Sequence, residues 1–480
     1  MINTKVTIEE ILAENNHSVS IDKSYVDALK KEDVSVLFKL FYESNTNSST
    51  LIYVLKNMGY LPINFDYDIF IDLISHKNED VRYWAAKNIG KSKSDKYYDL
   101  LVHRLSIEES TIVKREIVSS IGRMKSRFTT PFLIEVLKDK DPKIVSQAVR
   151  ALLCFKGESA IDDALMPLIN HENEMIRTVI YKEYFSKKPN VQNKQAHIES
   201  YDYLKNVVVN DDVRKVLSLV EDESIHLTFT SPPYYNARDY SIYPSYEAYL
   251  SFLEEVFKET FRITKEGRFL IVNTSPVIVP RISRAHSSKR YPIPFDLHSI
   301  LVKMGWEFID DIVWMKPEYS VKNRVGGFQQ HRKPLGYKPN SVTEYLMVYR
   351  KKTDKLLDWN MRQYPYSIVE ESKVKDEFET TNVWQICPKS DKIHSAVFPE
   401  ELCKRVIEYY SYKGDLVFDP FAGSGTFGRT AKKMNRYFFL TEKDETYFEY
   451  MKQMKLNHAN QEQFETKFLS LQEFEESVEK

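Results

Sequence analysis

At 480 residues the chain is too long for one hydrophobic core, and at about 100–200 residues per domain it should hold two to four. Charged residues are 29% and aromatics 13%, a globular balance that excludes a disordered or fibrous chain. Lys plus Arg, 68, nearly equals Asp plus Glu, 69, so a polyanion-binding surface has to come from local clustering.

The N-terminus, Met1 to Glu10, has no basic stretch followed by an apolar one, and no apolar run approaches ~18 residues. A soluble, cytoplasmic protein without a membrane span is expected. From about Asp66 to Ser186 the sequence repeats: Val81, Val113, Val145 and Ile176 head similar apolar segments at intervals of 32, 32 and 31. A lone helix pair cannot bury its apolar face, whereas stacked pairs can, so this period predicts an all-α solenoid over residues 1–188. The pattern resembles HEAT or armadillo repeats, with an irregular helical bundle as the other reading. Lys87, Lys91, Lys93, Arg115, Arg123, Lys125 and Arg127 suggest a basic stripe there, or plain solvation. Residues 189–200, polar and proline-broken, read as a linker.

From Tyr201 to Lys480, strand-like runs alternate with helical ones. This alternation predicts an α/β, Rossmann-like domain with a mainly parallel sheet, whose ligands sit at the carboxyl ends of strands. Strands are expected at Tyr203–Val209, Ile225–Phe229, Arg268–Asn273, Glu307–Trp314, Glu344–Tyr349, Leu416–Phe418 and Tyr437–Thr441. The second of these runs into Thr230-Ser231-Pro232-Pro233-Tyr234. Two prolines fix φ and remove N–H donors, leaving rigid outward carbonyls between a hydroxyl and an aromatic ring. Such a stretch suits a planar group bearing an amine, although locally it is equally a proline loop.

Leu416-Val417-Phe418 likewise runs into Asp419-Pro420-Phe421-Ala422-Gly423-Ser424-Gly425-Thr426 and then a helix. Glycines at a strand-to-helix turn let backbone approach a ligand, and the helix start supplies free N–H groups. Glu442 closes the next strand, where ribose hydroxyls lie in folds of this type.

Together these residues resemble the amino methyltransferases that move a methyl group from S-adenosylmethionine to an exocyclic amine of cytosine or adenine in DNA. Ser231 to Tyr234 matches the family's catalytic motif, Asp419 to Thr426 its cofactor motif, and His394-Ser395-Ala396-Val397-Phe398-Pro399 the segment ahead of that loop. Catalysis precedes cofactor binding, as in the family's permuted β arrangement, with target recognition between them. The resemblance spans about residues 201–457. It implies catalytic roles for Ser231, Pro232, Pro233 and Tyr234. It assigns cofactor contacts to Asp212, Phe398, Asp419, Phe421, Gly423, Ser424, Gly425, Thr426 and Glu442. The Gly that usually precedes the first of these acids is missing, since Asn210-Asp211 stands there. Duplex DNA is the implied partner, its base flipped and stacked on Tyr234 with help from Tyr235 or Tyr240.

The insertion of about 316–392, rich in Arg, Lys, Asn, Gln and Tyr, is expected to read the target. Arg324 and Arg332 lie within it, Arg362-Gln363 towards its end, and Arg281, Arg284, Lys289 and Arg290 form a second basic run. Arg238 follows the catalytic stretch. These types suit phosphates and base edges. Cytosine C5 chemistry needs a thiolate after proline, and neither Cys154, Cys387 nor Cys403 follows one. The same scattered cysteines give no disulfide framework and no metal site. Ser before Pro-Pro leans towards cytosine N4 in this family, with adenine N6 the alternative. A non-catalytic scaffold on the helical repeats is the reading from another class. Any nuclease of a restriction–modification pair is expected on a separate chain.

Overall fold

The chain forms two compact units, Met1–Pro189 and Asn190–Lys480. In this computed structural model the residues described are 23–32, 34–42, 47–62, 64–185, 196–236, 243–279, 283, 285–286, 288–375, 377–389, 398–453 and 465–479.

The described residues of the first unit are helical. Helices Glu79–Ile89, Thr111–Met124, Pro142–Leu152 and Glu174–Ile180 fall on the four sequence repeats, and each packs on the next. Asn78, Asp141 and Asn173 cap three of them by accepting free N–H groups, each such cap contributing about 1 kcal/mol. The repeat extends to backbone: left-handed residues recur 32 apart at Lys93, Lys125 and Gly157. A Cβ on Gly122 would lie 2.6 Å from the Ala151 Cβ, so neighbouring helices touch through small residues. One buried core runs from Val26 to Ile180.

Most cations of the expected basic stripe have internal partners. Arg115, Arg123 and Arg127 pair with Asp141, Glu116 and Glu158. Lys91 donates to the Gly59 carbonyl and Lys87 lies over the Trp84 ring. The three arginines are thus matched by acids, while the lysine contacts hold position without cancelling charge.

The second unit is a nine-stranded sheet. Its strands in chain order are β1 (Val207–Asn210), β2 (Ile225–Thr230), β3 (Thr264–Thr274), β6 (Trp306–Met315), β7 (Thr343–Lys351), β8 (Val383–Gln385), β9 (Leu416–Asp419), β10 (Tyr437–Glu442) and β11 (Lys467–Ser470), with β4 (Val277–Val279) and β5 (Lys289–Tyr291) as a separate hairpin. The order across the sheet is β11-β1-β10-β9-β2-β3-β7-β6-β8. Only β7 runs against the rest. Both faces are covered: Val208, Leu227, Phe229 and Val417 point to one core, Val207, Val209, Ile225 and Phe418 to the other. Burial on both faces explains why β1 and β9 read as continuous apolar runs, whereas β2 alternates apolar residues with His226, Thr228 and Thr230 and is buried throughout.

Strand direction sorts the loops. The ends of β1, β2, β3, β6, β9 and β10 and the start of β7 share one edge. The opposite edge holds a buried polar cluster around Asp415, which accepts from Arg268, from the Tyr364 hydroxyl and from the Tyr412 N–H. His226, fully buried, donates through Nε2 to the His197 carbonyl and accepts the Leu416 N–H at Nδ1.

Two expectations change here. Residues 196–200, expected as linker, are docked: His197 meets Asn360 and Ser200 is buried. The insertion is also not one recognition surface. Asn360 donates to Gly267 and Tyr364 to Asp415, which puts Arg362-Gln363 at the edge away from Ser231. Sequence spacing cannot reveal this, because the reversed strand β7 carries the chain from one edge to the other in mid-insertion.

Candidate active site

β2 ends at Thr230, fully buried, whose hydroxyl donates to Asp419 Oδ1 at 2.7 Å across to the end of β9. That bond ties the catalytic stretch to the glycine turn. Asp419 also accepts the Phe421 N–H at 3.0 Å, and burial pushes its carboxyl up to about 7. Glu442, ending β10, accepts the Gly423 N–H at 2.7 Å on one oxygen and the Asp444 N–H at 2.8 Å on the other. Burial raises it to about 7 as well, with Asp419 among the neighbouring charges that add to the rise. Among the described residues neither acid has a cationic partner. Asp419 is buried and Glu442 partly so, and two such carboxyls without a cation are costly on their own and suited to a ligand that is positively charged and rich in hydroxyls.

The glycine turn owes its shape to local packing. Gly423 and Gly425 have φ of 53° and 73°, and a Cβ on Gly425 would meet Met451 Sδ at 2.7 Å. Gly425 is therefore required by conformation and by Met451. Ser424 is buried, with its hydroxyl 3.3 Å from that of Thr426, and its carbonyl accepts from Arg429. Phe421 faces Phe252 at 6.0 Å, and Phe398 stacks on Phe229 at 4.5 Å. His394 to Val397 lie outside the described residues.

Asp212 sits at the same edge, but its carboxylate caps the helix Val213–Ser218 and pairs with Arg214 at 2.9 Å. Hydrogen bonding to Arg214 lowers it to about 2. Its charge is thus largely engaged already.

Tyr234 donates its hydroxyl to Glu344 Oε2 at 3.1 Å, and Glu344 pairs with Lys316. Burial and the Glu344 charge raise the phenol well above its ordinary value, while the Ser231 and Ser275 hydroxyls also reach its oxygen. Tyr235 is instead a core residue, 6% exposed among Tyr246, Tyr249 and Tyr291. Its stacking role in the sequence reading gives way to packing. Asn236 Oδ1 accepts the Tyr243 N–H; residues 237–242, including Arg238 and Tyr240, lie outside the described residues.

Arg281 and Arg284 are likewise outside them. Lys289 and Arg290 are exposed on β5. Arg324, half-buried, donates to Ser341 at 3.1 Å and is lowered by burial and by nearby Arg290. Arg332 is exposed at the end of the short helix Gly326–His331. Residues 317–342 carry five Lys or Arg against the single acid Glu318, whose Oε1 already accepts from Asn340. Glu344 and Lys316 were missed as site residues. A lysine just past one strand and a glutamate at the start of another give no signal until β6 and β7 are paired.

Residues 225–453 match the family model N6_N4_Mtase, described as DNA methylase. The chain is 28% identical over 240 residues to the type II beta methyltransferase M.BslI of Bacillus sp. (strain NEB-606), covering 48% of this chain and 25% of that one. It is 28% identical over 241 residues to the type II methyltransferase M.MwoI of Methanothermobacter wolfeii, covering 48% and 31%. The chain thus spans a quarter to a third of the length of these two relatives. Among solved structures, a putative DNA modification methylase of Thermus thermophilus aligns at 25% identity and a TM-score of 0.44, covering 55% of this chain and 99% of that one.

Proposed function

We propose that the second unit transfers a methyl group from S-adenosylmethionine to an exocyclic amine of a base flipped out of duplex DNA, with cytosine N4 as the amine. The observation that carries it is the pair of acids Asp419, buried, and Glu442, partly buried, with no cationic partner among the described residues, at the glycine turn beside Ser231-Pro232-Pro233-Tyr234. The match to the DNA methylase family over 225–453 supports the same reading.

S-adenosylmethionine would supply an electrophilic methyl group and is itself cationic at sulfur. Glu442 would hold the ribose hydroxyls, since each of its oxygens accepts only one backbone N–H here and retains acceptor capacity. Phe421 and the turn at Gly423 to Thr426 would line the rest of that ligand, and Asp212 would contribute through its remaining oxygen lone pairs. The target amine is a weak nucleophile because its lone pair is delocalised into the ring. Ser231 Oγ and the Pro232 carbonyl accept its two hydrogens, which draws nitrogen towards a tetrahedral shape with the lone pair aimed at the methyl group. The gain is orientation and preorganised electrostatics. Tyr234 supplies the stacking face, and residues 317–342 with β4 and β5 contact the duplex through Arg290, Arg324 and Arg332.

Ser231 favours cytosine N4, because a neutral hydroxyl stands where adenine-directed relatives of the motif use Asp or Asn. The type II methyltransferase names of the relatives support a role beside a separate restriction endonuclease. The repeated caps and left-handed residues support a HEAT-like array for the first unit, with 189–195 linking it to the second.

Tritium transfer from labelled cofactor onto duplex DNA, RNA and total protein tests the reaction. Duplex DNA should be labelled alone, and Ser231→Ala and Tyr234→Ala should each lose at least about 100-fold in rate. Label on RNA or protein, or undiminished turnover in both variants, would overturn the assignment. Nucleoside mass spectrometry of the product distinguishes N4-methylcytosine from N6-methyladenine.

A further inference from the structure

We infer that Glu344 and Lys316 are a positioning pair that sets the Tyr234 ring and couples it to the recognition segment. The inference rests on the reaction proposed above and concerns residues that no motif marks. Glu344 is the second residue of β7 and pairs in register with Trp314 of β6. Lys316 follows β6 directly, its N–H held by the Val342 carbonyl at 2.7 Å. The two therefore stand at the entry and exit of residues 317–342, a segment with five Lys or Arg against one acid.

Their side chains are mostly enclosed, at 17% for Lys316 and 14% for Glu344, and form an ion pair. Lys316 also lies 4.6 Å over the Trp314 ring, which is 5% exposed. The ammonium is thereby fixed between an aromatic face and a carboxylate. Glu344 Oε1 holds Lys316, and its other oxygen accepts the Tyr234 hydroxyl at 3.1 Å.

A phenol pointing into a carboxylate restrains rotation about the Cα–Cβ bond and fixes the plane of the ring. A stacking platform that must meet a flipped base edge-on to Ser231 needs that plane set in advance, since about 1 Å of misplacement costs roughly 100-fold. The same carboxylate closes the base of the recognition segment. A shift of residues 317–342 on meeting DNA moves Lys316 and Glu344 and, through them, Tyr234. A mere staple between strand ends would need no phenol on its second oxygen.

The experiment is a double-mutant cycle on the full chain, with Glu344→Gln, Tyr234→Phe and the pair together, assayed by label transfer to duplex DNA. Expected are kcat losses of about 10- to 100-fold in each single variant, a double variant no slower than the slower single, and unchanged affinity for S-adenosylmethionine by calorimetry. The charge swap Lys316→Glu with Glu344→Lys restores the ion pair but leaves the phenol without its acceptor. It should regain the thermal midpoint lost in either single swap while kcat stays low. Wild-type kcat in Glu344→Gln, additive losses in the double variant, or rescue of kcat by the charge swap would overturn the inference. Wild-type protein that labels no duplex DNA overturns the proposed reaction and this inference with it, whereas active wild type beside an unaffected Glu344→Gln overturns the inference alone.

Discussion

On the cofactor role proposed for it, Glu442 would report ligand binding through pH. Burial raises its carboxyl from 4.5 to about 7. In the ligand-free fold the protonated form is the favoured one, so its contribution to stability is full below 4.5 and declines as pH rises to about 7. Ribose hydroxyls and a sulfonium favour the ionised form instead. Affinity for S-adenosylmethionine should therefore climb as pH rises through about 7, by up to about tenfold per unit below that point, and then level off. Calorimetric titration between about pH 5.5 and 8.5 measures this, and Glu442→Gln should flatten the profile as well as weaken binding. Asp419, raised to about 7 beside it, should leave a residual slope in that variant. An identical slope in Glu442→Gln and wild type would place the titration elsewhere.

Among the structural elements, the turn between β9 and the helix Thr426–Lys433 is the least tolerant. Gly425 has a φ of 73°, and Met451 Sδ sits 2.7 Å from where a Cβ would be. Gly425→Ala forces a left-handed L-residue, a cost of about 1–2 kcal/mol, and pushes Met451 of the helix Glu445–Gln453 away. We expect a thermal midpoint lower by several degrees, and cofactor affinity reduced more than that loss alone explains. Differential scanning calorimetry with and without S-adenosylmethionine separates the two effects. This turn was legible in the sequence because Asp419 to Thr426 combines a strand end, paired glycines and a helix start within eight residues. The hairpin of β4 and β5, the short β8 and the edge strand β11 were not. Three or four residues carry too little periodicity to stand out, and their existence depends on partners far along the chain, such as Val207 beside Lys467.

For the whole molecule, the division into a helical unit and an α/β unit followed from the change of hydrophobic period near residue 200. The repeat of about 32 residues reappears in the structure as recurring caps and left-handed turns. What the sequence concealed was direction. Nothing in residues 316–392 announces that β7 reverses, so segments at opposite edges of the sheet look like one insertion. Composition alone points Arg362 and Gln363 towards DNA, whereas Tyr364 beside them donates to Asp415 at the far edge.

That reversal has an evolutionary consequence. Residues 317–342 leave and re-enter the sheet at adjacent points of β6 and β7, and the core residues Trp314 and Leu346 belong to the strands, not to the excursion. On the recognition role proposed above, the excursion would be an exchangeable cassette: new target preferences would arise by recombination at its two ends without redesign of the sheet. A chimera carrying the corresponding cassette of a relative, with Lys316 and Glu344 retained, should fold, bind cofactor as before and methylate the donor's site. Sequencing of modified bases from cells expressing it would read the change, and a chimera that keeps the original site would locate target choice in another part of the chain.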